Sequence, residues 1–169
     1  IDFDKEVSVY YINIDNFKNY NDLFGHHFSN KILVEFARRL KSLVPTYQTA
    51  YRVHSDHFLL LNRTEADKEY AFRNKILKVL REPYMIGTHE VKLTVSIGRY
   101  DIDKVTPRYH ETILRSELAL QEAKASGKDK MVVYSDTIKT RYQEAVETYH
   151  LIEEAIKERY FFLVFQPVM

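Results

Sequence analysis

The run VSVYYINI, Val7 to Ile14, is apolar on both faces of an extended chain and rich in β-branched and aromatic side chains. Such a run is a buried strand, and a strand with two apolar faces needs packing on both sides. It is therefore consistent with a sheet that has helices packed on it. DNFKNYNDLFG follows as a short helix, with Asp15 or Asn16 as its cap and Gly25 at its end. Phe28, Ile32, Leu33, Phe36, Leu40 and Leu43 recur at helical spacing up to Pro45, which stops that second helix. Thr49–Val53 and Phe58–Leu61 read as a hairpin around RVHSDHF. Glu65–Arg81 is a helix with Phe72, Ile76, Leu77 and Leu80 inward, and Tyr84–Ile86 and Val91–Tyr100 are strands on either side of a turn at Gly87. A helix opened by Pro107 and closed by Gly127 leads to a last strand, KMVVY. This order predicts an α+β fold, a sheet with helices packed on it, and not an all-parallel doubly wound sheet.

Beyond that strand, Ile138, Tyr142, Ala145, Tyr149, Ile152 and Ile156 follow a heptad-like spacing. They predict a long amphipathic helix from about Ser135 to Arg159. The chain closes on FFLVFQPVM, a strand-like run with no partner after it, and is expected to be a fragment of a longer protein. Lys and Arg number 25 against 24 Asp and Glu, so the electrostatic case for nucleic acid is missing. No cysteine is present, which excludes a disulfide framework and a zinc-thiolate centre. No apolar run approaches the ~20 residues of a membrane span, and no signal peptide is visible. No membrane contact by this fragment is expected, and the cytoplasm is the expected compartment.

Polar residues gather at four element ends: Asn13–Asp15 closing the first strand, Asn21, Asp22, His26 and Asn30 around two helix termini, the HSDH turn, and KASGK at a helix C-terminus. If the hairpin pairs beside the first strand, Asn13 faces Asp56. With these motifs in order, the chain resembles the GGDEF domains, the diguanylate cyclases. NIDNFKNYNDLFGHHFSN is similar to that family's D-I-D-x-F-K-x-I-N-D-x-x-G-H-x-x-G-D segment. RVHSDHF stands where the family has R-x-G-G-D/E-E-F, and TVSIG (Thr94–Gly98) and AKASGK (Ala123–Lys128) match two further motifs. The family's upstream D-x-L-T-G-L turn is absent and is expected to have been cut off. FFLVFQPVM is similar to the opening strand of an EAL domain, the c-di-GMP phosphodiesterase barrel. The resemblance implies a nucleotidyl-cyclase-like (ferredoxin-like palm) fold: a central, mostly antiparallel sheet flanked by helices, plus a C-terminal linker helix. It implies a GGDEF-like domain over 1–134, a linker helix over 135–160, and the first strand of a truncated EAL domain over 161–169.

A cyclase of this family joins two GTP molecules held on two facing domains and uses divalent metal, usually Mg²⁺, a cation that prefers hard oxygen ligands. The resemblance assigns the metal positions to Asn13, the Ile14 carbonyl and Asp56, and puts the second signature acid at His57. An amide cannot neutralise the cation, and imidazole suits zinc or nickel rather than magnesium. Three acids have become one, Asp56, so little or no cyclase activity is expected and Mg²⁺ binding is expected to be weak or absent. His54 and Ser55 replace the signature glycines, which let the backbone approach the nucleotide. His54 and His57 read as exposed turn residues, as a steric block to nucleotide, or with Asp56 as a transition-metal site. Asn21 matches the guanine-contacting asparagine, while Asn30 replaces its partner aspartate. An amide there better suits adenine than guanine, so GTP is disfavoured and ATP tolerated, unless the pocket is simply unused (compare amide–adenine pairing). Lys124 and Lys128 match phosphate-contacting positions, and are equally explained as helix C-terminal cations. Asp15, Phe17, Lys18, Asp22, Gly25 and His26 match the family and read as architectural. PTYQ, Pro45–Gln48, stands in place of the inhibitory R-x-x-D, so no inhibitory site is expected. The expectation is a degenerate GGDEF domain with a regulatory role, partnered with its own EAL domain or with a second copy as a homodimer. The rival readings are a residual nucleotide-binding enzyme (a weak cyclase or a triphosphate hydrolase using Asp56, Lys124 and Lys128) and a purely structural dimerisation module.

Overall fold

A computed structural model of the chain describes residues 6–44, 50–64, 66–102 and 109–162. Two compact units are present, residues 1–134 and 135–169.

In the first unit, β1 (Glu6–Ile14) runs through the middle of a five-stranded sheet. It pairs antiparallel with β3 (His57–Thr64) on one side and with β6 (Val95–Asp101) on the other. β2 (Ala50–His54) continues the sheet beyond β3, and β7 (Met131–Val133) lies parallel to β6 at the far edge. The strand order is β2-β3-β1-β6-β7, mostly antiparallel, as the family resemblance implies.

Alternation along β1 explains the two layers. Tyr10, Ile12 and Ile14 enter a core with α1 (Phe17–Ser42) and α2 (Ala66–Arg81), where Phe36, Leu40, Ile76 and Leu80 are fully buried. Val9 and Tyr11 face the other way, with Leu59 and with Leu120 of α3 (Tyr109–Ala125). Arg39 ties the first layer together. Its guanidinium lies 3.6 Å from the centre of the Tyr84 ring and donates to the carbonyls of Val79, Glu82 and Pro83, closing the C-terminus of α2.

α1 is two helical stretches joined at Gly25, whose φ of 75° and ψ of 166° lie outside the helical region. The expected cap before it is not made. Asn16 sits at the N-cap position in the left-handed region, with no side-chain cap bond. Its amide oxygen accepts from Lys128 instead, and the Asp15 carboxylate accepts from the Ser96 hydroxyl and the Asp129 amide. Long-range partners have taken the side chains that local sequence offered to the helix.

The expected strand Val91–Tyr100 is also divided. β4 (Tyr84–Ile86) and β5 (His89–Val91) form a separate two-stranded sheet, and β6 begins at Val95. Val91, Leu93 and Val95 are all buried, so apolar alternation runs unbroken while the backbone changes partners. The carbonyls of the link are used elsewhere: Lys92 accepts from the Tyr20 hydroxyl at 2.9 Å and Thr94 from the Asp15 amide at 2.9 Å. Pro45, Thr49, Glu65 and Pro107, expected to bound elements, lie outside the described residues, as does PTYQ.

In the second unit, α4 (Asp136–Lys157) is a helix about 33 Å long. Tyr149, Ile152 and Ile156 of its heptad-like stripe are exposed. Phe161 and Phe162 are not in a strand, and the remainder of FFLVFQPVM lies outside the described residues. Among the described residues no helix is long and apolar enough to cross a membrane.

Candidate functional site

Register alone brings the first and third polar groups together. Asn13 lies opposite His57 on β3 and opposite Ser96 on β6, so the end of β1 meets the β2–β3 turn at the centre of the sheet. The turn is Ser55–Asp56, and Ser55 carries its one left-handed φ, 43°. The cost of the missing signature glycines therefore falls on Ser55 and not on His54. Arg52 fastens the turn by donating from Nε to the Ser55 carbonyl at 2.7 Å. The Ile14 amide donates to the Asp56 carbonyl at 3.3 Å, which fixes the turn against β1.

The side chains then close on one another. Asn13 Nδ2 donates to Asp56 Oδ2 at 2.7 Å. His57 Nδ1 is 3.3 Å from Asp56 Oδ1 and 3.3 Å from Asn13 Nδ2. The His54 and His57 rings lie 4.4 Å apart, centre to centre. His57 is not an exposed turn residue: it opens β3, its side chain is 21% exposed, and its ring meets Tyr11 edge-on. His54 is exposed, as that reading requires. Among the described residues no group of three His, Asp or Glu side chains is arranged to hold a metal ion.

Burial by itself raises the pKa of Asp56, but hydrogen bonds from His57 and Asn13 outweigh it and hold the carboxyl at about 2. A carboxyl depressed on folding adds stability that is present above its unfolded pKa, near 4, and is lost as pH falls through about 2. Stability is thus expected to drop across that window. Asn13→Ala should move the carboxyl back toward its ordinary value, as read from its carbon chemical shift against pH. A wild-type midpoint near 4 would contradict the geometry.

A second group forms beside the first. Gly127, Lys128 and Asp129 all take positive φ, which turns the chain sharply after α3. Lys128 Nζ then donates to Asn16 Oδ1 at 2.7 Å, while Lys124 is half-buried on the last turn of α3. Asn21 and Asn30 lie on opposite sides of the Gly25 break, the first half-buried and the second exposed, and no hydrogen bond joins them. Sequence reasoning places neither Asn16, read there as a helix cap, nor Arg52 at the site. Asn16 had one available signal, since asparagine tolerates the left-handed region better than most residues.

Comparison with known proteins adds the decisive observation. The family model for the diguanylate cyclase GGDEF domain matches residues 2–130. The chain belongs to the GGDEF family. It is 30% identical over 167 residues to the bifunctional diguanylate cyclase/cyclic di-GMP phosphodiesterase MucR of Pseudomonas aeruginosa, covering 97% of this chain and 24% of that protein. The chain therefore spans about a quarter of that relative's length. A GGDEF-only deletion variant of TpbB (YfiN) from P. aeruginosa superposes with a TM-score of 0.75 at 20% identity, over 82% of this chain and 83% of that one. An EAL/GGDEF domain protein from M. capsulatus gives a TM-score of 0.70 at 26% identity, over 77% and 85% of the two chains. The GGDEF fold accounts for the sheet order found here, with the signature turn, His54–Phe58 by its motif position, at the end of the central strand.

Proposed function

We propose that this GGDEF domain is catalytically silent and serves as a regulatory module in a c-di-GMP signalling protein. One observation carries the reading: the Asn13 amide donates to Asp56 at 2.7 Å, at the positions that the family resemblance assigns to the metal. A donor N–H₂ group aimed at the remaining acid occupies the side of the carboxylate that a cation needs. His57 brings a nitrogen where a hard oxygen ligand is required. The residues present do not fit Mg²⁺. Without a cation, nucleotide phosphate is left to the family-equivalent basic positions Lys124 and Lys128, and Lys128 is already engaged with Asn16.

The regulatory role draws support from the relatives' names. MucR is named for both cyclase and phosphodiesterase activity, and the M. capsulatus protein for EAL and GGDEF domains. In this reading the chain continues past α4 into an EAL domain, and α4 carries the output to it or to a second copy.

The test is a thermal-shift titration with GTP, ATP and c-di-GMP, each with Mg²⁺ and with EDTA. A ligand that binds only the folded state raises the melting temperature. No Mg²⁺-dependent shift with GTP is expected. A Mg²⁺-dependent shift that Asp56→Ala abolishes would overturn the proposal.

A further inference from the structure

We infer that the groove between α2 and the start of β7 docks an acidic segment of a partner polypeptide. The groove holds about 640 Å³, and its cations are Arg73, Lys78 and Arg81 of α2 with Lys130 at the foot of β7. Its acids are Glu82 and Asp129. Asp129 is already engaged, its carboxylate accepting from Arg81 Nε at 2.9 Å and its carbonyl from Arg81 Nη2 at 2.6 Å. Lys130 donates to the Ser126 carbonyl. Arg73 and Lys78 make no hydrogen bond or ion pair among the described residues.

This excess is local. Across the chain 25 cations face 24 acids. α2, by contrast, carries Lys68, Arg73, Lys75, Lys78 and Arg81 against Asp67 and Glu69, and Glu69 is buried. The helix dipole accounts for cations in the last turn, Lys78 and Arg81. It accounts neither for Arg73, two turns earlier, nor for Lys130 on another element.

The shape points to the class of occupant. From Arg73 to Arg81 the helix rises about 12 Å, the length of roughly four extended residues. Leu77 and Met131, both half-buried, add apolar surface to this cationic strip. Carboxylates spaced along a peptide, with an apolar side chain between them, complement such a strip. A dense polyphosphate has no apolar group to set against Leu77 and Met131.

A fluorescent peptide of Glu-Glu-Leu repeats, titrated with the 169-residue chain and followed by anisotropy, tests the inference. Arg73→Glu/Lys78→Glu is expected to weaken binding about tenfold or more, and Lys31→Glu/Lys41→Glu, exposed on α1, less than about twofold. Amide shifts in the wild-type chain are expected at residues 73–82 and 129–131, a readout that needs no variant. The inference is overturned if both reversals weaken binding equally, if the shifts fall elsewhere, or if the peptide fails to bind at millimolar concentration. It is also overturned if a single-stranded oligonucleotide or phosphatidylserine vesicles bind more tightly at the same ionic strength.

Discussion

Gly98→Ala is expected to cost at least about 3 kcal/mol and to lower the melting temperature by on the order of 10 °C. The reason is how closely α3 lies on β6. A Cβ built on Gly98 would stand 2.0 Å from the Ser116 carbonyl oxygen, 2.2 Å from the Leu120 amide nitrogen and 2.8 Å from its Cα. All three are backbone atoms, so no rotamer change relieves the clash. α3 must lift from the strand, which opens the contact of Leu120 with Val9, Tyr11 and Leu59. Gly98 sits in the TVSIG motif, and this is the physical demand the motif meets. Thermal denaturation measures the loss, and a variant that melts with the wild type would contradict the close packing.

Arg99→Leu should have an effect of similar size, about 3–5 kcal/mol, through charge and not shape. Arg99 and Glu69 are 7% and 5% exposed, with Arg99 Nη2 3.2 Å from Glu69 Oε1. The same carboxylate accepts from the Tyr10 hydroxyl and from Asn62 Nδ2 at 2.9 Å. On its other side Arg99 pairs with Asp101 at 2.7 Å. The network joins β1, β3, β6 and α2. Burial, with the Glu69 carboxylate beside it, pushes the Tyr10 phenol far above its ordinary range. Removing the guanidinium leaves Glu69 charged and buried, whereas Asp101 is half-exposed and recovers water. Arg99→Leu/Glu69→Gln is therefore expected to be more stable than Arg99→Leu alone. Additive losses in that double-mutant cycle would mean that the pair is not coupled.

Most of the fold could be read from the residues because its elements announce themselves locally. Val7–Ile14 had to be central, RVHSDHF had to be a turn between two apolar strands, and Gly25 had to interrupt a helix. What stayed hidden depends on partners far along the chain. Val91–Val95 alternates as one strand would, and alternation carries no mark of which strand it pairs with. Glu69 falls on the same face of α2 as Phe72 and Ile76, yet Arg99, Tyr10 and Asn62, contributed by three different strands, make a buried carboxylate tolerable there. Asn16 looked like a cap until Lys128 claimed it. At the site, sequence brought Asn13 to Asp56 but could not show that the amide turns its donor side to the acid, or that His57 is drawn in beside Tyr11. Those are consequences of register, and register is set by the whole sheet.

The most direct measurement is GTP turnover by the purified chain in Mg²⁺, with c-di-GMP separated by chromatography, at protein concentrations high enough that pairing of two domains is not limiting. No product above that of Asp56→Ala is expected. Product that requires Mg²⁺ and disappears in Asp56→Ala would show that Asn13 and His57 still allow a working metal site, contradicting the account at its centre.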